Sequence, residues 1–310
     1  MSLAFSIVIV NYNLTHEIKN CINSILVNEK SNNYEIIVVD NASTDGGFNN
    51  LYKDFPISAF PQISFYYLNE NRGFGAGNNY GVSKARGEII FLLNPDALLI
   101  GEIFNSVETF FRNQSGIGAL GPKIVDNQNQ QEKSFGFYPS VLLEFLDIFL
   151  LRRKFELKVL LRKISNGEKE VNEVNWVTGS AMFIPKKIYQ EVHGFDEKFF
   201  LYNEEVDLCF RIKQLGYKIS FSPSILIKHL GSVGSKKNYY LFTKYSYESK
   251  LIYIKKHFSF PKIFFIRMFI ASQIIVQIAI WSILIFPFRA KAKGKLKAFP
   301  SILFKTLTNQ

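Results

Sequence analysis

The feature that most constrains this chain is a pattern in its first half, where short β-rich apolar runs alternate with helical stripes. Phe5–Val10 is the first run. In Leu14–Asn28, Ile18, Cys21, Ile22, Ile25 and Leu26 then recur at the spacing of one helix face, with Asn13 or Thr15 expected to cap it. Tyr34–Asp40 reads as a buried strand, Ile63–Leu68 as a third and Glu88–Leu93 as a fourth, the last preceded by a short helix ending at Arg86. Helix Glu102–Arg112 and strand Ile117–Gly121 complete the half. Strands that alternate with helices and lack hairpin turns specify an α/β fold with a mostly parallel sheet. Such sheets bind ligands beyond the carboxyl ends of their strands, where Asp40 and Asp96 both fall.

A length of 310 residues suits one large domain or two small ones, and 47% hydrophobic with 20% charged residues excludes a disordered or fibrous chain. Cys21 and Cys209 cannot make a disulfide framework, which fits a reducing compartment. The stretch from Met1 to Val10 has no basic region and no cleavage site, so no secretory signal is expected. The net charge of +11 sits entirely in the tail: Glu248 is the last acid, and eleven bases from Lys250 to Lys305 follow it. A basic tail beside a long apolar run points to an anionic membrane surface, not to nucleic acid. Met268–Phe286 is uncharged and bounded by Arg267 and Arg289, with Ser272, Gln273, Gln277 and Ser282 interrupting it and Pro287 ending it. Bases on both flanks disfavour a simple crossing, so an in-plane or re-entrant helix is expected. Val141–Ile164 mixes Leu and Phe with Arg152, Arg153, Lys154, Lys158, Arg162 and Lys163, as either a second lipid-facing stretch or a helix with a solvated basic face.

Several segments carry groups capable of chemistry. Asp96 follows a buried strand, where a carboxylate meets a cation bridging phosphate oxygens, although Asn94-Pro-Asp96 also reads as a plain turn. Asp40 suits a base or ribose, or caps its turn through Ser43. Gly73-Phe-Gly-Ala-Gly77 is not a dinucleotide fingerprint, because residue 78 is Asn and the segment follows the third strand. It reads as a flexible loop whose Arg72 either pairs with a phosphate or is an ordinary surface arginine. Trp176–Ile184 is an apolar strand kinked at Gly179-Ser180. A helix starting near Glu205 puts Glu204 and Glu205 at its N-terminus, as caps or as a general base. His229 follows a predicted strand, as a structural histidine or as a ligand to Mn²⁺ or Mg²⁺ together with Asp96.

In their order, these segments resemble the family 2 inverting glycosyltransferases of the GT-A fold, in particular the rhamnosyltransferase-like branch that builds bacterial surface polysaccharides. The blocks are Val10-Asn-Tyr-Asn13, Val38-Val-Asp-Asn-Ala-Ser-Thr-Asp45, Asn71–Asn79, Asn94-Pro-Asp96, Gly194-Phe-Asp-Glu197, Glu204–Cys209 and His229-Leu-Gly-Ser232, covering roughly residues 4–235. The resemblance implies a Rossmann-like nucleotide-sugar half over 1–121, an acceptor-binding and catalytic half over 122–248, and a membrane-associating helical region over 249–310. It assigns Asn11, Tyr12, Asp40, Asn41, Arg72, Asn79 and Asn94 to the nucleotide sugar, and Asp96 and His229 to Mn²⁺ or Mg²⁺. The base falls on Glu205, with Glu204 and Asp207 as alternatives. Two positions depart from the family pattern: Asn94 replaces the first acid of D-x-D, and Glu205 replaces an aspartate. The implied donor is dTDP-rhamnose, with UDP-linked hexoses open. The implied acceptor is a glycan on a polyprenyl diphosphate, met at the cytoplasmic face of the bacterial inner membrane. Two other classes compete. A nucleotidyltransferase needs a glycine-rich basic loop where Asn11-Tyr-Asn-Leu14 stands, and a non-catalytic membrane scaffold would tolerate both departures.

Overall fold

Phe5–Asn11 (β1) and Tyr34–Asp40 (β2) are buried along their whole length, as parallel strands covered on both faces are. The computed structural model describes residues 3–31, 33–152, 154–156, 172–231, 238–286 and 288–308. Arg153, Lys158, Arg162, Lys163, Ser232 and Pro287, named above, lie outside them. The chain forms two compact units. One is a sheet unit of Met1–Gly136, Glu168–Phe200 and Glu204–Val233; the other is a helical unit of Phe137–Gly167, Leu201–Asn203 and Gly234–Gln310. This division differs from breaks at 121/122 and 248/249, because the strand from 117 runs on to Val125 and a helix from Tyr239 already belongs to the helical unit.

The remaining strands are Ile63–Tyr67 (β3), Ile89–Leu93 (β4), Ala97–Leu99 (β5), Ile117–Val125 (β6), Phe135–Gly136 (β7), Asn172–Val174 (β8), Trp176–Val177 (β9), Ala181–Pro185 (β10) and Lys218–His229 (β11). The main sheet has the order β3-β2-β1-β4-β10-β6-β11-β5, with β8 also on β11. β1 pairs in parallel with β2 and β4, β2 with β3, and β6 with β11. β10 runs antiparallel between β4 and β6, and β5 runs antiparallel to β11, so the sheet is mixed around a parallel centre. Stacking of Phe183 on Phe91, ring centroids 4.0 Å apart, fixes β10 beside β4. The Gly179-Ser180 kink splits the expected Trp176–Ile184 strand into β9 and β10.

Helix Thr15–Asn28 (α1) buries Ile18, Cys21, Ile22 and Ile25 in one sheet-face core with Ile7, Ile9, Ile36 and Val38. Neither expected residue caps it. Thr15 is already helical, and its N–H and hydroxyl donate to Asp45 at 3.3 and 2.9 Å, whereas Asn13 accepts from the Thr44 and Asp45 amides. Short helices follow at Phe48–Asp54 (α2), Phe74–Ser83 (α3), Phe104–Asn113 (α4), Val141–Ile148 (α5), Lys186–Glu191 (α6) and Glu204–Gln214 (α7). The glycine-rich segment expected as a flexible loop is therefore mostly α3. Its glycines let the helix lie against the sheet: an added Cβ would come within 2.7 Å of Val10 at Gly77 and 2.4 Å of Val8 at Gly81.

Polar contacts at the amino ends of the strands are structural. Buried Glu35 accepts from the Ser6 hydroxyl at 2.7 Å and from the Arg86 amide and guanidinium at 2.6 and 2.8 Å. The helical unit holds Tyr239–His257 (α8), Phe260–Ile283 (α9) and Arg289–Thr308 (α10), with Ile254, Ile266, Ile270, Ile274, Phe299 and Ile302 in its core. Arg267 donates to the carbonyls of Lys305 and Thr306 at 2.6 and 2.7 Å, satisfying groups that the end of a helix leaves open. Replacing Glu35 leaves the Arg86 amide without its acceptor, so Glu35→Ala is expected to lower unfolding stability by about 1–3 kcal/mol. Urea titration checks this.

Candidate active site

In-register pairing places the ends of β1, β2 and β4 on one edge of the sheet, with Asn11 opposite Asp40. Asn11 donates to Asp40 at 2.7 Å and to Ser43 at 3.0 Å, and the second Asp40 oxygen accepts from the Ser43 amide at 3.0 Å. Asp40 is buried and caps its own turn, while Tyr12 beside it is half-exposed. Asn41 donates to Asn71 and to the Gly73 carbonyl, both at 3.0 Å, and accepts from the Arg72 amide at 3.1 Å. It thereby fixes the loop that carries Arg72. Gly73 is irreplaceable there, since it has φ of +89° and an added Cβ would lie 2.3 Å from the Phe200 carbonyl oxygen. The Arg72 guanidinium pairs with Glu197 at 2.7 Å, and both side chains remain substantially exposed.

Asn79 departs from its expected role. Its amide donates to Phe195 and Glu197, and its oxygen accepts from Tyr189 and from the Phe195 amide, at 2.7–3.1 Å. All four of its side-chain positions hold the 189–197 segment in this structure. Asp207 is likewise committed: it is buried and paired with Arg211 at 2.8 Å, and that guanidinium also donates to the carbonyls of Val192 and Gly194.

The strand-end acid Asp96 meets His229 at the end of β11. β5 pairs with β11 so that Ala97 faces His229, and the Leu230 amide donates to the Asp96 carbonyl at 2.9 Å. Asp96 Oδ1 lies 3.1 Å from His229 Nε2, and Glu132 Oε2 lies 2.9 Å from His229 Nδ1. Burial alone would lower the His229 pKa, but the two carboxylates override it and raise it to about 8. Sequence reading passes over Glu132: no spacing marks it, and 97 residues separate it from His229. Among the described residues no three acidic, histidine or cysteine side chains converge on one point. An oxygen and a nitrogen donor facing one another nonetheless suit a cation that takes its other ligands from diphosphate and water. Asn94 adds no second carboxylate. Its amide donates to the Ser180 carbonyl at 2.9 Å, tying the strand end to the Gly179-Ser180 turn.

Beyond that turn stand the two glutamates. A Cβ placed on Gly179 would be 3.1 Å from the Phe74 ring, a tight approach, and 3.6 Å from Glu205 Cβ, an ordinary contact, so the turn lies directly against both side chains. One carboxyl oxygen each of Glu204 and Glu205 is shut off from solvent without a hydrogen-bond partner among the described residues. Burial raises both pKa values; for Glu204 the neighbouring Glu205 adds to the rise, and Glu205 is pushed up to about 7. A buried acid that loses its proton near neutrality can take one from a hydroxyl.

Residues 6–154 match the model of Glycosyl transferase family 2. The chain is 24% identical over 213 residues to the low-salt glycan biosynthesis hexosyltransferase Agl10 of Haloferax volcanii, covering 67% of this chain and 61% of that one. It is 24% identical over 210 residues to the N-acetylglucosaminyl-diphospho-decaprenol L-rhamnosyltransferase of Mycobacterium tuberculosis, covering 63% and 66%. The match thus spans about three fifths to two thirds of these relatives. Among solved structures, the mannosyltransferase PcManGT of Pyrobaculum calidifontis, in complex with GDP-Man and Mn²⁺, superposes with a TM-score of 0.59 at 13% identity, covering 100% of this chain and 88% of that one. The match to glycosyl transferase family 2 thus covers just under half of the chain, and the sheet unit has the GT-A fold.

A raised pKa in the folded state means that the fold is stabilised while the acid is protonated, and that this stability is lost as pH rises through the folded value. Glu204→Gln is therefore expected to raise the melting temperature at pH 8 more than at pH 5, as thermal unfolding at the two pH values will show.

Proposed function

We propose that the sheet unit transfers a sugar from a nucleotide donor to an acceptor hydroxyl with inversion at the anomeric carbon. The observation that carries this is Glu205, one of whose carboxyl oxygens is shielded from solvent with no hydrogen-bond partner among the described residues. Its Cβ lies by the Gly179-Ser180 turn, which the Asn94 backbone links to the strand end before the Asp96–His229 pair. Asp40 and Tyr12 bound the nucleotide end, and Arg72 exchanges Glu197 for a diphosphate oxygen. Asp96 and His229 would hold a divalent cation, which would supply positive charge against that developing on the leaving group. Glu205 takes the acceptor proton. The acceptor oxygen then bonds to the anomeric carbon from the face opposite the nucleoside diphosphate, which leaves with the electron pair of the broken C–O bond. Agl10 and the mycobacterial rhamnosyltransferase favour a hexose or rhamnose donor, and the decaprenol in the latter's name favours a lipid-linked acceptor. The family blocks favour dTDP-rhamnose over UDP-hexoses.

A donor screen following nucleoside diphosphate release with Mn²⁺ tests the reading. Release from one donor is expected to disappear with EDTA and to fall at least a hundredfold in Glu205→Gln, while that variant still binds the donor. In the wild type, kcat/KM is expected to rise with pH through about 7 as Glu205 loses its proton. Near-normal turnover in Glu205→Gln would contradict the base assignment. Nucleotide binding without any transfer, even with lipid-linked acceptors, would favour the scaffold.

The helical unit is proposed to attach to the cytoplasmic leaflet of the inner membrane. α9 is long and apolar enough to cross a membrane. Ile266, Ile270 and Ile274 nevertheless pack inside the unit, while Phe260, Phe264, Phe265, Met268, Ile275 and Ile283 are exposed. Phe145 of α5 meets Phe269 of α9, ring centroids 5.4 Å apart, and Phe145, Phe149 and Leu150 extend the exposed apolar surface. Exposed Lys255, Lys256, Lys262, Lys291 and Lys293 supply charge complementary to anionic lipid. The arrangement favours a helix lying in the interface over a crossing. Co-sedimentation is expected with phosphatidylglycerol-rich vesicles and not with neutral ones, weakening in high salt and in the variant Phe264→Ser with Phe265→Ser.

A further inference from the structure

Glu132 is held in place by a short hairpin at the end of β6. Asp126 accepts from the amides of Gln128 and Gln130 at 2.8 and 2.9 Å, Val125 bridges Gln131, and the Glu132 amide donates to the Ile124 carbonyl at 2.9 Å. Asn129 takes the left-handed conformation that this turn demands, with φ of 59°. The carboxylate is thus delivered on a fixed backbone, 2.9 Å from His229 Nδ1, on the far side of the ring from Asp96.

We infer that Glu132 is a positioning residue for the divalent-cation site: it accepts the Nδ1 proton of His229 and so holds Nε2 on the Asp96 side of the ring as the nitrogen that would meet the cation in place of its own proton. An imidazole can offer only one nitrogen to a cation, and the hydrogen bond at the other decides which one and at what angle. Without an acceptor at Nδ1 the ring is free to place its proton on Nε2 and to rotate away from Asp96. The inference rests on the proposed role of Asp96 and His229, and Glu132 itself does not touch the cation.

The test is Mn²⁺ binding to the full chain with saturating dTDP or UDP, read from the electron paramagnetic resonance signal of free Mn²⁺ against a nucleotide-only titration. Glu132→Ala is expected to weaken Mn²⁺ binding about 10- to 100-fold, as loss of such an outer partner does elsewhere. Glu132→Gln, whose amide oxygen still accepts from Nδ1–H, is expected to stay within about threefold of wild type. If the alanine variant fails to fold, Glu132→Met fills the same space without the acceptor and is expected to behave as alanine does. Mn²⁺ affinity within twofold of wild type in Glu132→Ala or Glu132→Met, with binding lost in Asp96→Ala, would overturn this inference and leave the cation site standing. Unchanged binding in Asp96→Ala, or no uptake by the wild type, would overturn both.

Discussion

Parallel, in-register pairing of β1 with β2 and β4 is the constraint on which the rest of this structure depends. It brings Asn11, Asp40 and the Asn94-Pro-Asp96 turn to one edge without any of them needing to attract the others. The same direction continues through β6 and β11, on the far side of antiparallel β10, so His229 ends its strand on that edge too. Apolar burial on both sheet faces drives the pairing. The groups that cannot be buried are left at the strand ends, where polar turns receive them. The two edges differ in character. At the amino ends Glu35 is saturated by Ser6 and Arg86, whereas beside the carboxyl ends Glu204 and Glu205, adjacent in the chain, each keep one buried oxygen without a hydrogen-bond partner among the described residues.

On the proposed mechanism, that contrast separates structural acids from the general base. Asp207 and Glu205 sit in the same helical turn, two residues apart, in the same dipole field. Arg211 consumes Asp207 and anchors the 192–194 segment through it. Glu205 has no cation against it among the described residues' ion pairs, and one of its carboxyl oxygens is buried without a hydrogen-bond partner there. An unpaired buried carboxyl costs stability, and a proton that leaves near neutrality is what general-base chemistry gains from that cost. Both sequence departures fit this view. Glu205 stands against the Gly179 turn, and Asn94 ties the strand end to that turn through its backbone N–H.

Much of this was legible in the sequence, for physical reasons that also set the limits. Buried parallel strands are continuous apolar runs, so β1, β2 and β4 stood out, as did the α1 stripe. The ordered blocks pointed to Asp96, His229 and Glu205. What stayed hidden depends on partners distant in the chain. The cap of α1 comes from Asp45, and the glycine-rich segment became a helix because Val8 and Val10 demand a close neighbour. Asn79, placed on the nucleotide by resemblance, is fully spent on residues more than a hundred positions away. The apolar run of β10 was legible, but its antiparallel place between β4 and β6 has no local signal, because its direction is set by the path of the chain before it.

The most direct test of the central claim is a crystal structure with Mn²⁺ and a nucleoside diphosphate, the ion located by its anomalous scattering. The account predicts one Mn²⁺ at bonding distance from Asp96 and His229, with diphosphate oxygens on the same ion and the base beside Asp40. An ion held elsewhere, or a nucleotide that leaves Asp96 and His229 untouched, would contradict it.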